Sequence, residues 1–166
     1  ANWELIHCGE PNPYASLPKL NIYTYDLGKL YGAFKDDGGA FNFREFFRTN
    51  DDGNFKHESD VASFLNLLCK EGVESEYPYS TKEFRDNFRH SLWMVTGVKE
   101  AKALSAMLQN HPVFSSFQIV NVAGDGDEEA NYNDALKAVK DAIGDNPDET
   151  YTITLSCGKL TTGVSV

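Results

Sequence analysis

Cysteine and histidine are too few and too scattered to organise this chain around disulfides or a metal ion. The cysteines are odd in number, no two of them form a CxxC pair, and they stand at Cys8, Cys69 and Cys157. No HExxH or other ligand spacing joins the four histidines, which are His7, His57, His90 and His111. We therefore expect no disulfide framework and no metal site, and the cysteine usage predicts a reducing, cytoplasmic location.

Basic residues and long apolar runs are also scarce. Lysine and arginine number 15 against 25 acidic residues, which gives a net charge of −10. This balance argues against a free-standing nucleic-acid binder that works by charge alone, although backbone N–H groups can still contact phosphates locally. No apolar run is long enough to span a membrane, and the chain does not open on a signal peptide. We expect no membrane partner.

The signatures of catalysis are missing as well. The chain contains no GxxxxGK[ST] phosphate loop, no DEAD- or DExH-type box, and no GxGxxG after a strand. Ser156 does not stand in a GxSxG elbow, and the acidic run 124–129 lacks the spaced ligands of a calcium loop. We therefore predict no catalytic residue in this chain.

What is present indicates a packed α/β fold in residues 90–166. Apolar runs at 91–96, 117–122 and 151–156 have the length of buried strands, and Gly97 follows the first of them. Between the runs lie two helical stripes, formed by Ala101, Leu104 and Leu108, and by Ala135, Leu136, Val139 and Ile143. Asn131 or Asn133 is predicted to cap the second helix, and Gly144 to end it. This alternation predicts an open parallel sheet with covering helices.

Residues 1–89 are predicted to be mostly helical and rich in loops. The alternation in 19–26 predicts one strand, and the four phenylalanines in 41–47 predict a short buried helix. A helix is expected near 59–71, capped by Ser59 and ended by Gly72. Another is expected near 80–88, where Ser80 and Glu83 have the spacing of a capping box.

Three segments, in chain order, resemble parts of superfamily 2 motors. Residues 152–166 resemble motif V in its restriction-subunit form, where a strand leads into a Leu-x-Thr-Gly-x-Asp-type loop. Residues 91–108 resemble motif IV, a strand that turns directly into a helix, and residues 9–27 resemble the stretch after motif III in type III restriction subunits. Together the chain is similar to the second RecA-like domain of superfamily 2 helicases, closest to the type III restriction endonuclease Res subunits, and a partial RecA-like sheet is the fold that this implies.

The resemblance implies roles for the motif V loop. Thr162 and Gly163 would bind nucleotide, with the Thr162 hydroxyl and the Gly163 N–H offered to a phosphate, because glycine lets the main chain come close. Thr161 and Thr162 would contact the nucleic acid. Ser165 stands where many relatives carry aspartate; it can bind a ribose or water but cannot hold a guanidinium or a metal by charge. At the end of the motif IV strand, Thr96 and Gly97 would contact the nucleic-acid backbone.

Cofactors and partners follow from the same resemblance. ATP and Mg²⁺ would bind in the intact parent protein, with none held tightly by this fragment, since the phosphate loop, the metal box and the arginine finger are not in it. The partners implied are the first RecA-like domain of the same chain, DNA, and a methyltransferase or specificity subunit. Because the chain begins at Ala1 rather than Met and stops after an apolar strand, we expect a piece of a larger motor that is not catalytic by itself.

Two other function classes stay open from the residues themselves. The glycine-containing strand ends at 96–97, 123–126 and 157–163 also fit a doubly wound α/β enzyme that acts on a small molecule. The acidic balance fits an interaction module that binds a basic partner.

Overall fold

A fully parallel sheet of three strands forms the frame of the C-terminal half. The computed structural model describes residues 22, 24–25, 27–35, 37–72, 77–124 and 129–157. Within these ranges the strands are β1 (His90–Met94), β2 (Gln118–Asn121) and β3 (Thr152–Ser156), arranged in the order β1-β3-β2. The open parallel α/β sheet predicted for 91–96, 117–122 and 151–156 is confirmed, with strands one or two residues shorter.

Six α-helices of very different length are described around this sheet. They are α1 (Leu27–Leu30), α2 (Phe43–Phe46), α3 (Glu58–Leu68), α4 (Lys82–Asn87), α5 (Val98–Gln109) and α6 (Glu129–Ile143). Short 3-10 turns lie at Gly32–Phe34, Phe114–Ser116 and Pro147–Glu149.

Helices α5 and α6 cover opposite faces of the sheet. On α5, Ala101, Leu104 and Leu108 pack with Ile153 and Leu155 of β3 in one core cluster. Residues of α6 instead pack with Val120 and Val122 in a second cluster. The connection from β1 to β2 crosses the sheet in one direction, past β3, and the connection from β2 to β3 crosses back in the opposite direction. Because the two connections have the same hand, their helices lie on opposite faces of the sheet.

The face covered by α5 carries a large aromatic core, which residues from before β1 help to fill. Phe46, Val61 and Leu65 from α2 and α3 belong to the same cluster as Ile153 and Leu155 of β3. The aromatic rings meet mainly edge to face, as where Tyr79 and Phe114 lie 5.0 Å apart at 74°. Residues on the two sides of position 90 therefore share one hydrophobic core.

Three of the predicted helix starts, and one helix end, are wrong. Helix α3 begins at Glu58 after His57, so Ser59 lies inside its first turn, and it ends before Cys69 rather than at Gly72. Helix α4 is capped by Thr81, whose side chain accepts a hydrogen bond from the Phe84 N–H at 3.2 Å. Neighbouring Ser80 instead donates to the Tyr77 carbonyl, because the backbone turns there before the helix starts.

Helix α6 starts earlier than predicted and ends where predicted. It begins at Glu129, so Asn131 and Asn133 lie within it and do not cap it. Gly144 follows its last residue with φ 73°, a conformation that favours glycine. The strand predicted at 19–26 falls mostly outside the described residues, and its described positions 22, 24 and 25 are not in a strand.

Candidate functional site

The carboxyl edge of the sheet brings the ends of β1 and β3 side by side. Met94 and Ser156 are register partners, and the Val95 N–H donates to the Ser156 carbonyl at 2.8 Å. The segments that leave β1 and β3 therefore start from neighbouring strands at one edge, where open α/β sheets bind ligands. On the other side of β3, the Val122 N–H donates to the Leu155 carbonyl at 3.0 Å.

Thr96 and Gly97 form the link from β1 to helix α5. Thr96 is exposed, and Gly97 precedes the first helical residue in an extended conformation, with φ −174° and ψ 175°. The Glu100 carboxylate lies so close above Gly97 that a Cβ atom there would collide with it. That carboxylate lies at the end of a flexible side chain that can move away, and the backbone angle is an ordinary extended one, so neither feature requires glycine at this position.

Glu100 was not identified from the sequence, although it changes what this edge can bind. Its Oε1 accepts a hydrogen bond from the Thr49 hydroxyl at 2.9 Å, which ties α5 to the loop before α3. A carboxylate in the first turn of a helix is stabilised by the helix dipole, and it lies where an incoming phosphate would approach. The available signal was its spacing, three residues after Gly97, which is that of a capping box.

The motif V residues proposed for nucleotide and nucleic-acid contact, Thr161, Thr162, Gly163 and Ser165, lie outside the described residues. The structure places Thr96 and Gly97 one strand away from the end of β3, and the sequence joins the end of β3 to the segment that resembles motif V. The site roles of all six residues stay predictions.

A cavity of about 630 Å³ lies alongside β1, between the aromatic residues of the helical region and the strand. Thr96 and Glu100 are among its lining residues, and most of the rest are apolar. Three polar side chains meet at its wall: the Trp93 Nε1–H donates to the Tyr79 hydroxyl at 3.0 Å and to Ser91 Oγ at 3.1 Å, and the two hydroxyls are 3.0 Å apart. Burial raises the pKa of Tyr79, so its hydroxyl stays protonated near neutral pH.

A second, more polar groove of about 880 Å³ runs between α3 and α5. Lys99 and Lys102 are three residues apart on α5, so they lie on the same side of the helix, and both are exposed. Asp51 and Asp52 line the same groove, so its charge is mixed rather than basic. The two lysines follow Thr96 closely and supply the positive charge nearest to it in sequence.

The histidines in the described ranges have partners within the chain. His90 contacts the Thr152 hydroxyl at 2.9 Å and the Pro147 carbonyl at 2.8 Å. His57 contacts Glu45, and hydrogen bonds from Lys56 and then His57 hold the pKa of that carboxyl at about 2. Burial lowers the pKa of His111, whose Nδ1 accepts from the Val113 N–H at 3.2 Å. These contacts indicate structural roles.

Chemistry based on metals or thiols has little support within the described ranges. They contain no group of three or more His, Cys, Asp or Glu side chains arranged to hold a metal ion. Cys69 and Cys157 are free thiols, and burial raises the pKa of Cys69 to about 11, which makes it unreactive. None of the described helices is long and apolar enough to cross a membrane.

Comparison with protein-family models, with curated proteins and with solved structures gave no match for this chain.

Proposed function

We propose that this chain is part of the second motor domain of a superfamily 2 DNA helicase or translocase of a restriction-type system, and that it contacts the DNA backbone without hydrolysing ATP by itself. Its partial RecA-like sheet would close against the first RecA-like domain, with ATP and Mg²⁺ held between them in the intact protein. A methyltransferase or specificity subunit is the further partner that this function implies.

One observation carries the proposal: β1 and β3 are parallel neighbours whose last residues, Met94 and Ser156, are in register. Because carboxyl ends of neighbouring parallel strands share an edge, the link at Thr96 and Gly97 starts beside the segment that leads towards Thr162 and Gly163. A motor of this kind needs its motif IV and motif V loops on one edge, where a single phosphate backbone can reach both.

The Glu100 carboxylate sets a condition on this contact. It lies over Gly97 and is bonded to Thr49, so a phosphate that reaches the Thr96 hydroxyl and the Gly97 backbone approaches a negative charge. Two like unit charges about 4 Å apart repel by roughly 1 kcal/mol in water. DNA binding by the isolated chain is therefore weak and sensitive to salt, in line with its net charge of −10.

Substitution Thr96→Val tests the contact directly. It removes the hydroxyl and keeps the branched shape, so loss of one hydrogen bond of ~1 kcal/mol lowers DNA affinity about fivefold. The measurement is fluorescence anisotropy with a labelled oligonucleotide duplex at low salt, with circular dichroism to verify folding.

The matched control is Ser115→Ala, which removes an exposed hydroxyl before β2, at the opposite edge of the sheet. Affinity that is unchanged in Thr96→Val, or that falls equally in both variants, would contradict a backbone contact at the carboxyl edge. ATP turnover by the purified chain would contradict the proposal that it lacks the parts needed to hydrolyse ATP. Binding of a basic protein instead of DNA would favour an interaction module.

A further inference from the structure

The cavity alongside β1 has the size and the walls of a small-molecule site. Its volume of about 630 Å³ lies within the range of roughly 300–1,000 Å³ that is usual for ligand pockets. Its apolar walls come from both halves of the chain, with Phe47, Phe64 and Leu68 on the helical side and Trp93 on the strand side. Flat aromatic walls of this kind favour a planar apolar occupant.

The polar cluster at its wall has one more donor than it can use internally. Tyr79, Ser91 and Trp93 supply three protons, and only the two hydroxyl oxygens can accept them. The Trp93 N–H reaches both oxygens, and the two hydroxyls are linked by one hydrogen bond in whichever direction it runs. One hydroxyl proton is therefore left over, and none of the described residues supplies a further acceptor for it.

When Tyr79 donates to Ser91 Oγ, the remaining proton is that of the Ser91 hydroxyl, which is half-buried. A donor on a cavity wall without an acceptor in the protein is bonded to a ligand or to water. Both hydroxyl-bearing residues line the cavity, so an acceptor placed there can take the proton.

Charge narrows the choice of ligand further. Glu100 is the one charged residue among those described as lining the cavity, and its carboxylate is already bonded to Thr49. No lysine or arginine is present in this lining to balance an anion, so a negatively charged ligand would be repelled at the mouth.

We propose that this cavity binds a neutral, planar, apolar molecule that carries one hydrogen-bond acceptor, with the acceptor bonded to the Tyr79–Ser91 hydroxyl pair. The site goes beyond the motor function and does not depend on it, because its ligand is uncharged and its hydroxyls lie on the wall of the cavity rather than at the sheet edge.

A pair of probes that differ in the acceptor alone tests the proposal. 2-Acetylnaphthalene carries a ketone oxygen, and 2-isopropenylnaphthalene has the same shape with a methylene group in its place. Each is titrated into the full chain while the indole N–H signal of Trp93 is followed by two-dimensional NMR, with Trp93→Phe used to assign that signal. We expect the ketone to bind about fivefold more tightly, which corresponds to ~1 kcal/mol for one hydrogen bond, and to shift the Trp93 signal.

A blocking variant then locates the binding. Leu68→Trp adds volume to the cavity wall and abolishes binding of the ketone, whereas Leu67→Trp, at a neighbouring residue that lines the adjoining pocket but not the cavity, leaves it intact. If Leu68→Trp does not fold, Phe88→Trp at another lining position replaces it. Equal affinity for the two probes, no binding of either, or binding that survives the blocking variant would overturn the proposal.

Discussion

The two faces of the sheet are built in different ways. The face under α5, here called the aromatic face, is filled by Trp93, Phe114 and Phe117 together with residues from α2 and α3. The face under α6 packs smaller side chains, mainly valines and alanines, and carries the buried hydroxyls of Thr152, Thr154 and Ser156 on β3. The aromatic face thus has the larger and more extensively shared core.

The difference is greatest at β1. Ser91 and Trp93 point towards the aromatic face, so Leu92 and Met94 point the other way, and they are 44% and 71% exposed. Helix α6 covers β2 and β3, but these two side chains are not covered by it. Parallel sheets generally have both faces covered, so among the described strands β1 is the one whose α6 face is left open to another element.

The largest effect expected from this comparison is in core stability. Phe114→Ala, at a fully buried ring of the aromatic face, should reduce the free energy of unfolding by about 3–5 kcal/mol, because it removes an aromatic side chain and leaves a cavity. Val139→Ala on α6, also buried, should reduce the free energy of unfolding by about 2 kcal/mol. This substitution removes two buried methyl groups and leaves a smaller cavity than Phe114→Ala does. Urea unfolding followed by circular dichroism measures both. Equal losses would mean that the two faces contribute alike.

A pH-dependent effect is expected from His111 on the aromatic face. His111 is buried, its pKa is lowered by burial, and its Nδ1 accepts from backbone N–H groups of Val113 and Phe114. The folded protein therefore favours the neutral imidazole. The stabilisation that His111 gives to the folded state is complete above the unfolded pKa near 6.5 and decreases as the pH falls below that value. Comparing unfolding free energies at pH 8 and pH 5.5 should show a smaller drop in His111→Gln than in the unsubstituted chain. An unchanged pH dependence in His111→Gln would refute this role.

The smallest effect is expected at the uncovered part of the α6 face. Met94→Thr should change the free energy of unfolding by less than about 0.5 kcal/mol, because the side chain is already exposed. Val120→Thr is the matched change at a covered position of the same face, and it should cost more than 1 kcal/mol because it buries a hydroxyl. A large loss in Met94→Thr would show that this side chain is covered in solution.

The sequence predicted the sheet well because its strands are apolar runs of strand length, although only β3 is buried along its whole length. Runs such as 151–156 and the stripe of Ala101, Leu104 and Leu108 are long enough for their period to be read directly, and Gly144 marks a helix end by its conformation. Helix starts were less predictable, since several adjacent residues can cap. At α4 the choice between Ser80 and Thr81 depends on which of the two reaches the Phe84 N–H.

The candidate sites were harder to predict from the sequence because they depend on contacts between residues that are far apart along the chain. Thr49 and Glu100 are 51 positions apart, and Tyr79, which precedes α4, reaches Ser91 and Trp93 on β1. No local period or motif indicates such pairs. Thr96 and Gly97 could be placed at the end of β1 from the sequence, and the three-residue spacing from Gly97 was the one local signal for the Glu100 carboxylate.

The most direct test of the proposed DNA contact is the affinity of Glu100→Gln. Glutamine keeps an oxygen for the Thr49 hydroxyl while it removes the negative charge next to Gly97. Glu149→Gln, before β3 at the opposite edge, removes the same charge from the chain as a whole. If the DNA backbone binds at Thr96 and Gly97, anisotropy at low salt will show Glu100→Gln binding the duplex about fivefold more tightly, as ~1 kcal/mol of repulsion implies, and Glu149→Gln nearly unchanged. Equal affinities for the two variants would contradict the account.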